Sequence, residues 1–108
     1  MKALCPRALI APNTSKGVDN YILVDRAGTL YIYRNQCPHL GIELQWVEDT
    51  FLDQSGEFIQ CSSHGALFTI DTGLCIRGPC NGASLKQIHY TLENDQVYVV
   101  DQANLGTA

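Results

Sequence analysis

The chain has 108 residues, 45% of them hydrophobic and 17% charged, and its net charge is −4. This length suits one globular domain with a modest core, so we expect residues 1–108 to form a single domain. The negative charge argues against nucleic acid as a partner, because a phosphate-binding surface needs an excess of lysine and arginine.

The sequence shows no apolar run near the roughly 20 residues that cross a bilayer. Its first residues have only a short apolar patch, interrupted by Pro6 and Pro12, which does not match a secretory signal. We therefore expect a cytoplasmic protein without a membrane partner. The five cysteines are then better explained by metal or redox chemistry than by a disulfide framework.

The first predicted element is a hairpin. Residues 21–24 and 29–33 are β-branched and aromatic runs, and residues 25–28 between them have turn chemistry. Two shorter strands are predicted at 57–60 and 66–70, followed by a turn at 71–73.

A second hairpin is predicted near the end of the chain, with strands at 85–92 and 96–100 around a turn at 93–95. No stretch keeps an apolar period of 3.6 residues over three turns, so little helix is expected. The pattern predicts an all-β fold, a small antiparallel sandwich or barrel. Residues 35–80 interrupt it with many cysteines, histidines, glycines and prolines, which indicates a site built from loops.

Two short pairs of metal-binding side chains lie in this region. Cys37 and His39 form the first pair, and Cys61 and His64 form the second, with 21 residues between the pairs. Within each pair the spacing lets both side chains reach one centre from a single tight loop. Gly41 and Gly65 follow the pairs and permit sharp turns.

Two cysteines and two histidines can hold a structural zinc ion or a [2Fe–2S] cluster with two thiolates on one iron and two imidazoles on the other. Zinc fingers usually group cysteine with cysteine and histidine with histidine. Here each loop contributes one of each, which favours the cluster and leaves zinc as the alternative.

Three segments together resemble the loops of the Rieske iron–sulfur domain: CPHLG at 37–41, CSSHGALF at 61–68 and TGLCIRGP at 72–79. The family pattern is C-x-H, a spacer, C-x-x-H-G and then a Gly-Pro loop over the cluster. The resemblance implies a β-sandwich with a cluster-binding subdomain and one [2Fe–2S] cluster. Its metal ligands would be Cys37, His39, Cys61 and His64.

The resemblance also implies where electrons leave and at what potential. In the family the imidazole edges lie at the tip of the protein, and Leu40, Leu67 and Pro79 would surround them here. High-potential members carry a disulfide between the ligand loops, and Ser and Tyr hydroxyls that donate hydrogen bonds towards the cluster. The corresponding residues are Ile42 and Ser63 for the disulfide, and Ala66 and Phe68 for the hydroxyls. A low reduction potential is expected.

The function implied is that of a ferredoxin, which carries single electrons from a reductase to a terminal oxygenase without a catalytic site of its own. The chain has no glycine-rich dinucleotide motif and no open metal position. Two alternatives remain at this point: the small Rieske subunit of a multi-subunit reductase such as nitrite reductase, and a structural zinc module.

The other conspicuous residues have simpler interpretations. Cys75 and Cys80 are expected to be buried thiols and Cys5 a small apolar side chain. His89 is expected to be an ordinary strand residue and Trp46 a packing residue. Several acidic residues of the spacer form either a solvated face or a surface that steers a basic partner towards the tip. They are Glu43, Glu48, Asp49, Asp53 and Glu57.

Overall fold

The computed structural model describes residues 2–36, 51–61, 65–78 and 82–100. In these ranges the chain forms nine β-strands and one short 3₁₀ helix at Arg7–Leu9. The all-β fold predicted from the sequence is confirmed. Across the same ranges, no helix has the length and apolar character needed to span a bilayer.

The strands form three antiparallel sheets, each with three strands. The terminal sheet has the order β1 (Lys2–Pro6), β9 (Gln96–Val100), β8 (His89–Glu93). The middle sheet has the order β2 (Ser15–Val18), β3 (Tyr21–Arg26), β4 (Thr29–Arg34). The site sheet has the order β5 (Phe58–Gln60), β6 (Leu67–Thr69), β7 (Cys75–Arg77).

The middle sheet separates two hydrophobic cores. Ile22, Val24 and Tyr33 belong to the site-side core, which also contains buried residues of the site sheet. Leu23 and Ile32 belong to the other core, together with buried residues of the terminal sheet. Since successive side chains of a strand face opposite sides, burial on both faces explains why residues 21–24 are uniformly apolar.

Both predicted hairpins are present, and each is closed by two residues with positive φ. Ala27 (φ 52°) and Gly28 (φ 85°) connect β3 to β4, while Asn94 (φ 52°) and Asp95 (φ 63°) connect β8 to β9. Two consecutive left-handed residues match the twist of the flanking strands, which is why such turns are preferred in hairpins.

The predicted strand at 85–92 is too long at its start, because β8 begins only at His89. The preceding residues bond to other parts of the structure: Leu85 N–H donates to the Gly73 carbonyl (2.9 Å) and Ile88 N–H to the Ile32 carbonyl (2.9 Å). This segment therefore connects the middle sheet to the turn after β6.

Three strands were not predicted. β1 and β2 have weak strand patterns, KALCP and SKGV, and they form because β9 and β3 offer them ladder partners. β7 lies inside the region predicted to be loop, where it pairs with β6 across a bulge.

A partly buried ion pair joins the 3₁₀ helix to the middle sheet. Asp25 is 4% exposed and accepts a hydrogen bond from the Arg7 guanidinium. Its carboxylate also accepts from the backbone N–H groups of Asn13 (3.1 Å) and Gly28 (3.3 Å). Burial disfavours the charged form, but these donors outweigh it and lower the pKa of Asp25.

Replacement of Asp25 by asparagine is expected to lower the free energy of unfolding by about 2 kcal/mol, because Arg7 loses its charged partner. The folded-state pKa of Asp25 lies below its unfolded value of about 3.9. The stabilisation is therefore complete above that pH and is lost as the pH falls through the folded pKa. Urea unfolding of both proteins at several pH values measures this.

Asp19→Asn is the matched control. Asp19 pairs with Lys2 at 2.9 Å, but both side chains are about half exposed, so the change should stay below about 0.5 kcal/mol. Equal effects of the two substitutions at neutral pH would contradict the role assigned to Asp25.

Candidate metal centre

Cys61 directly follows β5 and is fully buried in the site-side core. Its N–H donates to the Ala66 carbonyl (2.9 Å), and its own carbonyl accepts from Gly65 N–H (2.8 Å). Gly65 has a φ of 67°, a conformation that favours glycine. The two ends of the second ligand loop are thus fixed to each other between β5 and β6.

The other three predicted ligands, Cys37, His39 and His64, lie outside the described residues. The chain that leads to the first ligand pair is anchored, because Asn35 is buried and its N–H donates to the Asn20 carbonyl (2.7 Å). After the spacer, Phe51 is fully buried, and its carbonyl accepts from Gln60 N–H (2.7 Å). Both ends of the first ligand loop and its spacer are therefore held by the scaffold.

The third predicted loop contacts the second at Gly78. This residue has a φ of 106°, and a Cβ built on it would lie 2.8 Å from Ala66 Cα and 2.9 Å from Ala66 Cβ. Only glycine fits this approach without movement of the Ala66 backbone. The Gly-Pro motif was recognised in the sequence, but this contact with Ala66 has no sequence signal of its own.

The cysteines outside the motif behave as predicted where they are described. Cys75 is 1% exposed in the site-side core, and its thiol donates to the Arg77 carbonyl (3.2 Å). Cys5 is buried in the opposite core, and this burial raises the pKa of its thiol. Cys80 lies outside the described residues. His89 is exposed at the first position of β8 and is an ordinary strand residue, as predicted.

Of the residues expected around the tip, Leu67 is half-buried on β6. Other residues singled out in the sequence fall outside the described ranges: Leu40, Ile42, Trp46, Ser63 and Pro79.

The acidic residues of the spacer do not act as one set. Asp53 accepts hydrogen bonds from the Ser55 hydroxyl (2.8 Å) and Phe58 N–H (3.3 Å), and so closes the turn that precedes β5. Burial opposes ionisation of its carboxyl, but these donors lower the pKa. Glu57 is exposed and lies 3.7 Å from Arg26. Glu43, Glu48 and Asp49 are outside the described residues.

The described residues are compatible with a cluster at this position. The buried Cys61 would supply a thiolate, and two backbone hydrogen bonds close the loop that carries it. No group of three potential ligands occurs within the described ranges, since only Cys61 of the four predicted ligands falls in them.

Gly78→Ala is expected to destabilise the protein by about 1–3 kcal/mol, because the new Cβ would overlap the Ala66 backbone. Thermal unfolding measures the effect. Gly82→Ala is the control, since Gly82 also has a positive φ (95°), but its added methyl group would have no atom within 4 Å. A loss no larger for Gly78→Ala than for Gly82→Ala would show that backbone strain, and not the contact, limits this position.

Comparison with known proteins identifies the family of the chain. The family model of the Rieske [2Fe-2S] domain matches residues 3–101. The iron–sulfur subunit of the cytochrome b6-f complex of Chlorobaculum tepidum is 33% identical over 81 residues, which is 75% of this chain. The chain spans only 40% of the length of that relative.

Solved structures show the same fold. The ferredoxin of Sphingomonas yanoikuyae B1 superimposes with a TM-score of 0.74 and 25% identity, over 92% of this chain and 96% of the other. A complex of reduced oxygenase and oxidised ferredoxin in carbazole 1,9a-dioxygenase contains a chain with a TM-score of 0.73 and 23% identity, over 91% of this chain and 90% of that one.

Rieske domains carry one [2Fe–2S] cluster held by cysteine and histidine, so the zinc alternative is not retained. The family match covers nearly the whole sequence. The fold is consistent with it, and so are the burial of Cys61 and the packing of Gly78 against Ala66. The chain belongs to the Rieske [2Fe–2S] domain family.

Proposed function

We propose that this chain is a low-potential ferredoxin that carries single electrons from a reductase to a terminal oxygenase or a similar enzyme. The proposed ligands of its cluster are Cys37, His39, Cys61 and His64. A cluster bound there would accept and release one electron at a time. The protein would have no catalytic site and would act only as a carrier.

The observation that carries the proposal is the setting of Cys61. Its side chain is fully buried, its loop is closed by two backbone hydrogen bonds, and Gly78 packs directly against the same loop at Ala66. These contacts would keep water away from the sulfur and hold it in one position. A redox site benefits from such rigidity, because small movements between oxidation states keep electron transfer fast.

The likeness to solved ferredoxins supports a ferredoxin-type carrier. The ferredoxin of S. yanoikuyae B1 has the same fold, with a TM-score of 0.74 and 25% identity. The fold is also that of a chain in a complex of oxygenase and ferredoxin, which is why an oxygenase is proposed as the acceptor. The alternative is a small subunit of a multi-subunit reductase, which would remain bound to its large partner during purification.

Electron transfer tests the proposed function directly. The anaerobically purified protein is reduced with NADH and a flavin-dependent ferredoxin reductase, and its visible spectrum is followed after addition of a Rieske oxygenase. We expect the reductase to reduce the protein within the time of one enzyme turnover. The oxygenase should then reoxidise it when it is added. Stable association with a large reductase subunit, and no electron exchange as a separate protein, would favour the alternative.

Cys61→Ser is expected to abolish cluster binding, because the hydroxyl of serine is a much weaker ligand for iron than a thiolate. Iron and acid-labile sulfide per chain are the measured quantities. Cys75→Ser is the matched control: Cys75 is equally buried in the same core but lies outside the ligand motif. Loss of iron from both variants alike would contradict the assignment of Cys61.

The potential is expected at the low end of the Rieske range, which spans roughly −150 to +300 mV. Ala66 and Phe68 are buried beside the Cys61 loop and have no hydroxyl to donate to cluster sulfurs. Such hydrogen bonds would stabilise the added electron. A midpoint potential above about +100 mV, measured by redox titration, would contradict this expectation.

Ala66→Ser tests the cause of the low potential, since it adds a donor next to the loop and should raise the potential. Ala83→Ser is the control, because Ala83 packs against the same core but is not part of the ligand motif. The control should leave the potential unchanged.

A further inference from the structure

We infer that Tyr33 is a positioning residue that holds the third loop against the Cys61 loop; this inference rests on the proposed function. Tyr33 lies on β4, its side chain is fully buried, and its hydroxyl donates to the Ile70 carbonyl at 2.6 Å. The two residues are 37 positions apart in the chain. This hydrogen bond joins the middle sheet to the turn that follows β6.

The ring of Tyr33 makes a second contact with this turn. A Cβ built on Gly73 would lie only 2.7 Å from Cε1 of the Tyr33 ring. Gly73 has a φ of 73° and is buried. The hydroxyl and the ring therefore fix both sides of the turn, one through a carbonyl and the other through close packing.

Backbone hydrogen bonds connect this turn and β7 to the segment that follows the third loop. The Gly73 carbonyl accepts from Leu85 N–H (2.9 Å), and Cys75 N–H donates to the Ala83 carbonyl (2.8 Å). These bonds hold β7 beside residues 82–85. Gly78 directly follows β7 and contacts Ala66.

A continuous set of contacts thus leads from Tyr33 to the second ligand loop. Burial raises the pKa of the Tyr33 phenol, with a smaller contribution from the carboxylate of Asp71. The phenol consequently remains a neutral hydrogen-bond donor at neutral pH and well above it. None of the contacts that lead from Tyr33 to Gly78 involves one of the four proposed cluster ligands.

Tyr33→Phe tests the inference, because it removes the hydroxyl and keeps the ring. Tyr90→Phe is the matched control: the Tyr90 hydroxyl donates to the Leu30 carbonyl, also at 2.6 Å, but Tyr90 packs against the opposite core. Each variant loses one hydrogen bond from tyrosine to a backbone carbonyl. If the Tyr33 hydroxyl contributed only to overall stability, the two variants would have the same effect on the site.

Three quantities are compared in the cluster-containing proteins: the exchange of the Gly73, Cys75 and Leu85 amides, the rate of iron loss to a chelator, and the midpoint potential. In Tyr33→Phe we expect the three amides to exchange about tenfold faster relative to the rest of the protein. Iron loss should accelerate several-fold. The potential should rise, because water that reaches a looser site stabilises the added negative charge.

Tyr90→Phe should leave the potential and the relative exchange of the three amides unchanged. Equal behaviour of the two variants, in a wild-type protein that contains a cluster, would overturn the inference about Tyr33. Absence of a cluster from the wild-type protein would instead contradict the proposed function. In that case amide exchange still compares the two variants.

Gly73→Ala provides a second test that retains the Tyr33 hydroxyl. Its new methyl group would displace the ring, so the same amides should exchange faster. Gly28→Ala is the control, since Gly28 has a similar φ of 85° and no atom within 4 Å of the position of a Cβ. If both variants affect the three amides equally, the ring contact does not position the turn, and the inference fails.

Discussion

Alternate side chains of β3 and β4 enter two different cores, so the middle sheet is covered on both faces. A shift of one residue in its register would exchange the two sets of side chains, including Tyr33 and Ile32, which belong to opposite cores. This constraint fixes the orientation of the hairpin. The hairpin in turn sets where the site sheet packs and where the chain leaves β4 towards the first ligand pair.

The site sheet is small, with three residues in each strand, and it depends on support from outside. Its inward-facing residues Ile59, Phe68 and Cys75 pack in one core with the middle sheet. Cys61 continues this buried row beyond the end of β5. A ligand placed directly after a strand, on its buried side, is held more firmly than one in the middle of a long loop. In the proposed site the scaffold would provide rigidity and the loops would provide the chemistry.

Much of this arrangement could be predicted from the sequence. The hairpin signals at 25–28 and 93–95 are local, so both hairpins were recognisable. The ligand motif has a strict order and spacing, but three of its four ligands lie outside the described residues, and the ligand set stays a prediction. β1 and β2 were not recognisable, because their residues favour strands only next to β9 and β3. The pairing of Arg7 with Asp25 and the contact of Gly78 with Ala66 join residues that are distant in the chain or carry no local pattern. Contacts of this kind depend on the tertiary structure.

Pulsed EPR of the reduced protein tests the central claim most directly, because it detects magnetic nuclei bonded to the cluster. A centre held by Cys37, His39, Cys61 and His64 should show couplings to two imidazole nitrogens, which disappear one at a time in His39→Cys and His64→Cys. A spectrum without coupling to bonded nitrogen, or a protein that contains zinc in place of iron, would contradict the account.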